Sequence, residues 1–212
     1  MSKILYENQN KYLNSLKIQT DSLLYEMEKF SEENKIPILD KRSADFLEQL
    51  ILIQKPNRVL EIGTAIAYSS IRIAKKLPTN AVLETIEKSK NNIKLANHFI
   101  KRSGIKSINV LDGDALDIMT TIKMKYDFIF LDADKEDYLN LFSLSLPLLK
   151  KNGIIFIDNL LWHGYAASSR IPRSFKRSTQ LIKDFNEIFM NSSQLVSTIL
   201  PIGDGIGIGI KK

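Results

Sequence analysis

The chain of 212 residues has no cysteine. That excludes a disulfide framework and any metal site built on thiolates, and it is compatible with a reducing compartment. Only two histidines occur, His98 and His163, and they are not spaced as a ligand pair, so no histidine metal site is expected. No apolar run approaches membrane-spanning length. The opening residues, Met1-Ser2-Lys3-Ile4-Leu5-Tyr6-Glu7-Asn8, lack the apolar stretch of a signal peptide. The expectation is a cytoplasmic protein with no membrane partner. Internal repeats, low-complexity tracts and long linkers are absent too, and the length suits one domain over residues 1–212.

What is present begins with charge. A formal net charge of +6 suits a polyanionic partner, although lysine-rich solvated surfaces produce the same balance. Residues 1–56 read as a helical extension. Leu23, Leu24, Met27 and Phe30 share one face of a helix over 22–34 that Asp21 or Ser22 can cap. Pro37 interrupts the pattern. Asp40 can cap a second helix with Ala44, Leu47, Leu50 and Ile51 facing inward, and Lys55-Pro56-Asn57 ends it.

From 57 to 212 strand and helix patterns alternate. Strands are expected at 58–62, 81–87, 108–111, 127–131 and 153–157, with helices at 68–76, 90–103, 115–122, 138–149 and 178–190. Such alternation specifies a parallel α/β sheet covered on both faces. Residues 195–202 and 205–210, separated by Gly203-Asp204, read as a closing antiparallel hairpin. Seven strands result, in a Rossmann-like, mostly parallel sheet.

Ligands of open α/β sheets bind beyond the carboxyl ends of the strands. Phe130-Leu131-Asp132-Ala133-Asp134-Lys135 and Phe156-Ile157-Asp158-Asn159 are apolar runs that stop at oxygen-bearing side chains. If their strands are neighbours, Asp132, Asp158 and Asn159 converge. Three hard oxygen ligands suit Mg²⁺ or Mn²⁺ better than zinc. Taken singly, Asp158 and Asn159 are also ordinary strand-end residues, and Lys135 can pair with Asp132, Asp134 or Glu136. Gly63, at the first strand-to-helix turn, lets backbone approach a ligand, and Glu87, ending the second strand, can accept from ribose hydroxyls. The full G-x-G-x-x-G fingerprint is missing, which argues against a pyrophosphate cradle and a dehydrogenase. Asp114 can cap a helix or, with Ala115, flank an adenine.

In order along the chain, VLEIGTAIAYS at 59–69, TIE at 85–87, GDAL at 113–116, FLDADK at 130–135, IDN at 157–159 and PIGDG at 201–205 resemble the metal-dependent class I S-adenosylmethionine O-methyltransferases of the catechol and caffeoyl-CoA type. The resemblance implies that Leu39, Glu61, Gly63, Ser69, Glu87, Asp114, Ala115 and Asp132 surround S-adenosylmethionine. It also implies Asp132, Asp158 and Asn159 as metal ligands, Lys135 as catalytic base beside Asp132, and a homodimer associating through the N-terminal helices. The family carries glycine where this chain has Ala67. At positive φ an alanine would be strained; inside the helix it is favourable, and the helical placement is expected.

A divalent ion holding a hydroxyl oxygen lowers its pKa, and a second adjacent oxygen would fix the acceptor, so the chemistry calls for two adjacent oxygens on the acceptor. Between Trp162 and the last helix, Arg170, Arg173, Lys176 and Arg177 accompany Tyr165 and Phe175. Such a loop is commonly a solvated surface, but basic groups also neutralise phosphates while aromatics stack on unpaired bases. The segment resembles bacterial tRNA 5-hydroxyuridine methyltransferases of the same family, which implies methylation of 5-hydroxyuridine to 5-methoxyuridine at the wobble position of the tRNA anticodon loop, with Arg170, Arg173, Lys176 and Arg177 as the expected RNA backbone contacts. O5 and O4 of that base would imitate a catechol. The other readings are a small-molecule catechol or caffeoyl-CoA-type enzyme and, with a decayed cofactor site at Ala67, a binding module without activity. His163 is expected to be structural, with the acceptor wall as its other reading.

Overall fold

The computed structural model describes residues 6–16 and 21–212; the expected helical extension at 1–5 and 17–20 lies outside the described residues. Three helices precede the first strand: α1 (Glu7–Leu16), α2 (Ser22–Asn34) and α3 (Lys41–Gln54). The Asp21 carboxylate accepts from the Leu23 and Leu24 amides at 3.1 Å each, and Asp40 accepts from Arg42 and Ser43. Both aspartates satisfy donors that a helix start otherwise leaves open.

The sheet contains β1 (Arg58–Ile62), β2 (Val82–Glu87), β3 (Ile108–Asp112), β4 (Tyr126–Leu131), β5 (Leu149–Ile157), β6 (Leu195–Leu200) and β7 (Ile206–Lys211). Their order is β3-β2-β1-β4-β5-β7-β6. The first five run parallel, whereas β7 pairs antiparallel with both β5 and β6. This is the expected seven-stranded Rossmann-like sheet with its C-terminal hairpin. Chain order reverses between β1 and β4, which opens a crevice at their carboxyl ends.

Strand residues alternate between two cores, because successive side chains leave opposite faces. Val59, Leu83, Phe128, Phe130 and Phe156 pack with α2, α3, α4 (Tyr68–Ala74) and α5 (Lys90–Ser103). Leu60, Ile62, Ile129, Leu131, Ile155 and Ile157 pack with α6 (Ala115–Thr121), α7 (Tyr138–Leu148) and α8 (Lys176–Met190). A buried Arg72 joins the helical extension to α4. It donates to Glu48 and Asp45 at 2.5 Å each and to the Tyr68 hydroxyl at 3.0 Å. Tyr68 in turn donates to Glu28 at 2.8 Å. A guanidinium this deep is tolerated because its donors meet charged acceptors.

Most boundaries fall within two residues of the sequence expectation, and two of the differences bear on packing. β5 begins at Leu149 rather than at 153, and it carries a register shift opposite Tyr126 and Phe128. Lys150-Lys151-Asn152 has the polarity of a turn, but the backbone accommodates it as an irregular strand start with Asn152 left-handed at φ 61°. The hairpin turn spans 201–205 instead of the two residues Gly203-Asp204, since β6 stops at Leu200 and β7 starts at Ile206. Gly203 and Gly205 have φ of 57° and 91°. A Cβ on the first would overlap the Ser43 hydroxyl and on the second Leu161, so this turn is packed against α3 and against the chain after β5.

Candidate active site

A cavity of about 600 Å³ opens at the carboxyl ends of β1, β2, β4 and β5. That volume suits a drug-sized or nucleoside-bearing ligand. At its floor the Gly63 turn (φ 101°) lies against β4 so closely that a Cβ would collide with the Asp132 carbonyl oxygen. Only glycine fits this turn.

Of the residues expected around a cofactor, Gly63, Glu87, Asp114, Ala115 and Asp132 line the cavity. Leu39, Glu61 and Ser69 are buried away from its lining. Pro37 and Ile38, which the sequence did not single out, reach it in place of Leu39, and Ser89 and Asn92 extend it along α5. Glu87 accepts from the Ala65 and Ser89 amides at 2.9 Å each, fixing its carboxylate at the rim. Asp114 combines both of its readings: it caps α6 through the Leu116 amide at 2.9 Å and faces the cavity. Glu61 is wholly inaccessible; Ser69 donates to one oxygen at 2.5 Å and Ser70 to the other. Burial pushes its carboxyl up to about 7, with the Asp132 charge adding to the effect.

Ala67 corrects an expectation. It is not helical but left-handed, at φ 67° and ψ 27°, and fully buried before α4 begins at Tyr68. With Gly63 (φ 101°) and Ala65 (φ 47°) it makes three positive-φ residues in the turn from β1 into α4.

β4 and β5 are adjacent, with Leu131 opposite Ile157, so Asp132 and Asp158-Asn159 emerge side by side. Asn159 is left-handed at φ 64°, a conformation asparagine tolerates better than most residues. Its amide nitrogen donates to Asp158 Oδ2 at 3.1 Å. Asp158 is 4% exposed, and its Oδ1 has no hydrogen-bond partner. Burial pushes this carboxyl well above the usual range, and neighbouring Asp132 reinforces the shift. The Lys135 ammonium lies 2.5 Å from Asn159 Oδ1 and 3.6 Å from Asp132 Oδ1, so the cluster already gathers one cation. Among the described residues no three His, Cys, Asp or Glu side chains group as a metal site; here the third oxygen is an amide. An orphaned buried carboxylate oxygen between two further oxygen donors fits a hard divalent ion.

On the far side Trp162, His163 and Gly164 take successive left-handed conformations at φ 46°, 55° and 77°. Asp204 holds this turn. Its carboxylate accepts from the His163 amide at 2.5 Å, and its carbonyl accepts from Leu161 at 2.8 Å. Burial raises the Asp204 carboxyl, opposed by the His163 bond. The sequence reading missed Asp204, although its place between two glycines marks a constrained turn. His163 and Trp162 both line the cavity, with ring centroids 5.0 Å apart, and Tyr165 and Phe175 stand beyond them at 5.2 Å from one another. Arg170, Arg173, Lys176 and Arg177 are exposed on the adjoining segment, and Arg177 pairs with Glu136 at 3.3 Å.

A glycine turn, an acidic second-strand end and a carboxylate-rich switch point on this sheet define a class I methyltransferase-type fold. The chain belongs to the O-methyltransferase family, whose pattern matches residues 14–212. It is 29% identical over 170 residues to the caffeoyl-CoA O-methyltransferase of Populus kitakamiensis, covering 76% of this chain and 72% of that one. It is also 29% identical to the flavonoid 3',5'-methyltransferase of Vitis vinifera, over 77% of this chain and 74% of that one. Among solved structures, a Staphylococcus aureus protein provisionally assigned as a caffeoyl-CoA O-methyltransferase superposes with a TM-score of 0.90 at 30% identity, covering 97% of this chain and 100% of that one. A Bacillus cereus O-methyltransferase in complex with SAH gives 0.82 at 28% identity, covering 95% and 96%. Among the described residues no helix is long and apolar enough to cross a membrane.

Proposed function

We propose that this O-methyltransferase, acting as one domain, transfers the methyl group of S-adenosylmethionine to one of two adjacent oxygens on a small catechol-like acceptor. The observation that carries the reading is Asp158 Oδ1, buried without a partner beside Asp132 and Asn159. Those three side chains would hold a Mg²⁺ or Mn²⁺ ion. Such an ion supplies positive charge that lowers the pKa of an acceptor hydroxyl and aligns a neighbouring oxygen. Gly63 and the Glu87 carboxylate form the cofactor side, and the SAH complex of the Bacillus cereus relative supports this donor. Lys135, whose side chain is only 9% exposed, would take the hydroxyl proton only after giving up one of its own, the ammonium beside Asn159 and Asp132 being its form before that loss. The oxygen–methyl bond forms as the sulfonium–methyl bond breaks, leaving a neutral thioether. Trp162 and His163 wall off the acceptor on the opposite side.

The names of the relatives favour a small phenolic acceptor. A second reading, 5-hydroxyuridine in a tRNA anticodon loop, is supported by the exposed Arg170, Arg173, Lys176 and Arg177 beside Tyr165 and Phe175. The same basic arc would equally suit the phosphates of a CoA thioester. Transfer of labelled methyl should be compared for a neutral catechol, its CoA thioester and tRNA bearing 5-hydroxyuridine. The proposal predicts labelled catechol or thioester, with the thioester alone losing rate when Arg170 and Arg173 are changed to Glu. Label confined to tRNA, with steep salt dependence, would replace it by the RNA reading.

A further inference from the structure

Between Lys135 and the ligand residues stands a side chain to which neither the sequence nor the family resemblance gave a role. Tyr138 opens α7, three residues after Lys135, and is 1% exposed. Its hydroxyl donates to the Asp158 carbonyl at 3.0 Å and accepts from the Lys135 ammonium at 2.7 Å. Donation to a backbone carbonyl fixes the hydroxyl proton, so its lone pairs face the lysine. The ring is also clamped, edge-on against Phe185 at 5.4 Å, and lies 4.5 Å from the ammonium. Lys135 meets one further fixed acceptor, the Ala133 carbonyl at 3.0 Å.

We infer that Tyr138 is a positioning residue that retains Lys135 at the edge of the Asp132–Asp158–Asn159 cluster. The ammonium now shares Asn159 Oδ1 and Asp132 Oδ1, two of the oxygens proposed to hold the ion. A divalent cation and an ammonium repel one another over the same donors. Lysine therefore stays useful beside an ion only where it has anchors of its own. The Tyr138 hydroxyl and the Ala133 carbonyl are those anchors, and only the first can be removed by changing a side chain. Without the hydroxyl the ammonium would lean on Asn159 and Asp132 and compete with the ion.

This inference rests on the metal reading above, and the experiment separates the two. Manganese binding is followed by calorimetry in the parent, Tyr138→Phe, Lys135→Met and the double variant, alongside steady-state methylation of a catechol. Phenylalanine keeps the ring packing, and Tyr138→Met, also lacking the hydroxyl, replaces it should the first variant fail to fold. Loss of a partner that orients a metal ligand or its neighbour typically weakens affinity or activity by ~10–100-fold. Tyr138→Phe is expected to weaken Mn²⁺ and lower kcat in that range, with KM for S-adenosylmethionine unchanged. The metal defect should disappear once Lys135 is Met, because the competing ammonium is gone. An equal metal defect in both lysine backgrounds would reduce Tyr138 to a structural prop for Asp158, and an unchanged kcat would likewise overturn the inference. Failure of the parent to bind Mn²⁺ would instead remove the metal reading itself.

Discussion

Two carboxylates are buried below the cavity, and their surroundings assign them different tasks. Asp158 keeps an oxygen unpartnered, which supports the proposal that it holds an ion. Glu61 has both oxygens engaged by Ser69 and Ser70 and holds the start of α4 against β1. Its folded pKa of about 7 stands above the ordinary 4.5, so the native state binds this proton more tightly than the unfolded chain. The resulting stabilisation is fully present below the unfolded value and is lost as pH rises through about 7. It amounts to roughly 3 kcal/mol. Glu61→Gln should flatten this part of the pH dependence of stability, measured by urea unfolding at several pH values; an undiminished slope would show that Glu61 is not its source. Asp132, Asp158 and Asn159 were legible because each ends an apolar run. Tyr138 and Asp204 were not, because their roles arise from side-chain contacts across the fold.

At the scale of elements, the turn from β1 into α4 shows how a general pattern meets a local constraint. The apolar runs and caps revealed the strands and helices, since burial on both faces favours apolar residues in the inner stretches Val59-Leu60, Phe128–Leu131 and Ile154–Ile157 of β1, β4 and β5. The path of residues 63–67 was hidden, because alanine has no preference strong enough to announce a left-handed turn. An alanine there carries about 1–2 kcal/mol of strain. Glycine would relieve it but lose a buried methyl worth about 0.8 kcal/mol and about 0.5–1 kcal/mol in chain entropy. Ala67→Gly should therefore leave stability within about 1 kcal/mol of the parent. Ala67→Val, branched at positive φ in a filled core, should cost at least about 2 kcal/mol. Chemical denaturation of both variants checks this, and a neutral valine would contradict the left-handed assignment.

Across the whole molecule, the charge balance of +6 is spread over the chain, and four exposed basic residues, Arg170, Arg173, Lys176 and Arg177, lie on the segment after Trp162. Composition could report the excess, but only the ring contacts of Tyr165 and Phe175 with His163 show that this segment adjoins the cavity wall. The exposed apolar residues Tyr12, Leu13 and Leu16 of α1 and Leu52 and Ile53 of α3 support the proposal of a homodimer through the helical extension. Everything proposed for the reaction converges on the oxygen cluster. The most direct measurement is a calorimetric titration of Mn²⁺ into the 212-residue chain and into Asp158→Ala, in the presence of S-adenosylmethionine. One ion bound per chain in the parent and none in the variant, with methyl transfer abolished by chelator, is the result predicted. Equal binding in both proteins, or chelator-insensitive transfer, would contradict the assignment of Asp158 as the carboxylate that holds the ion.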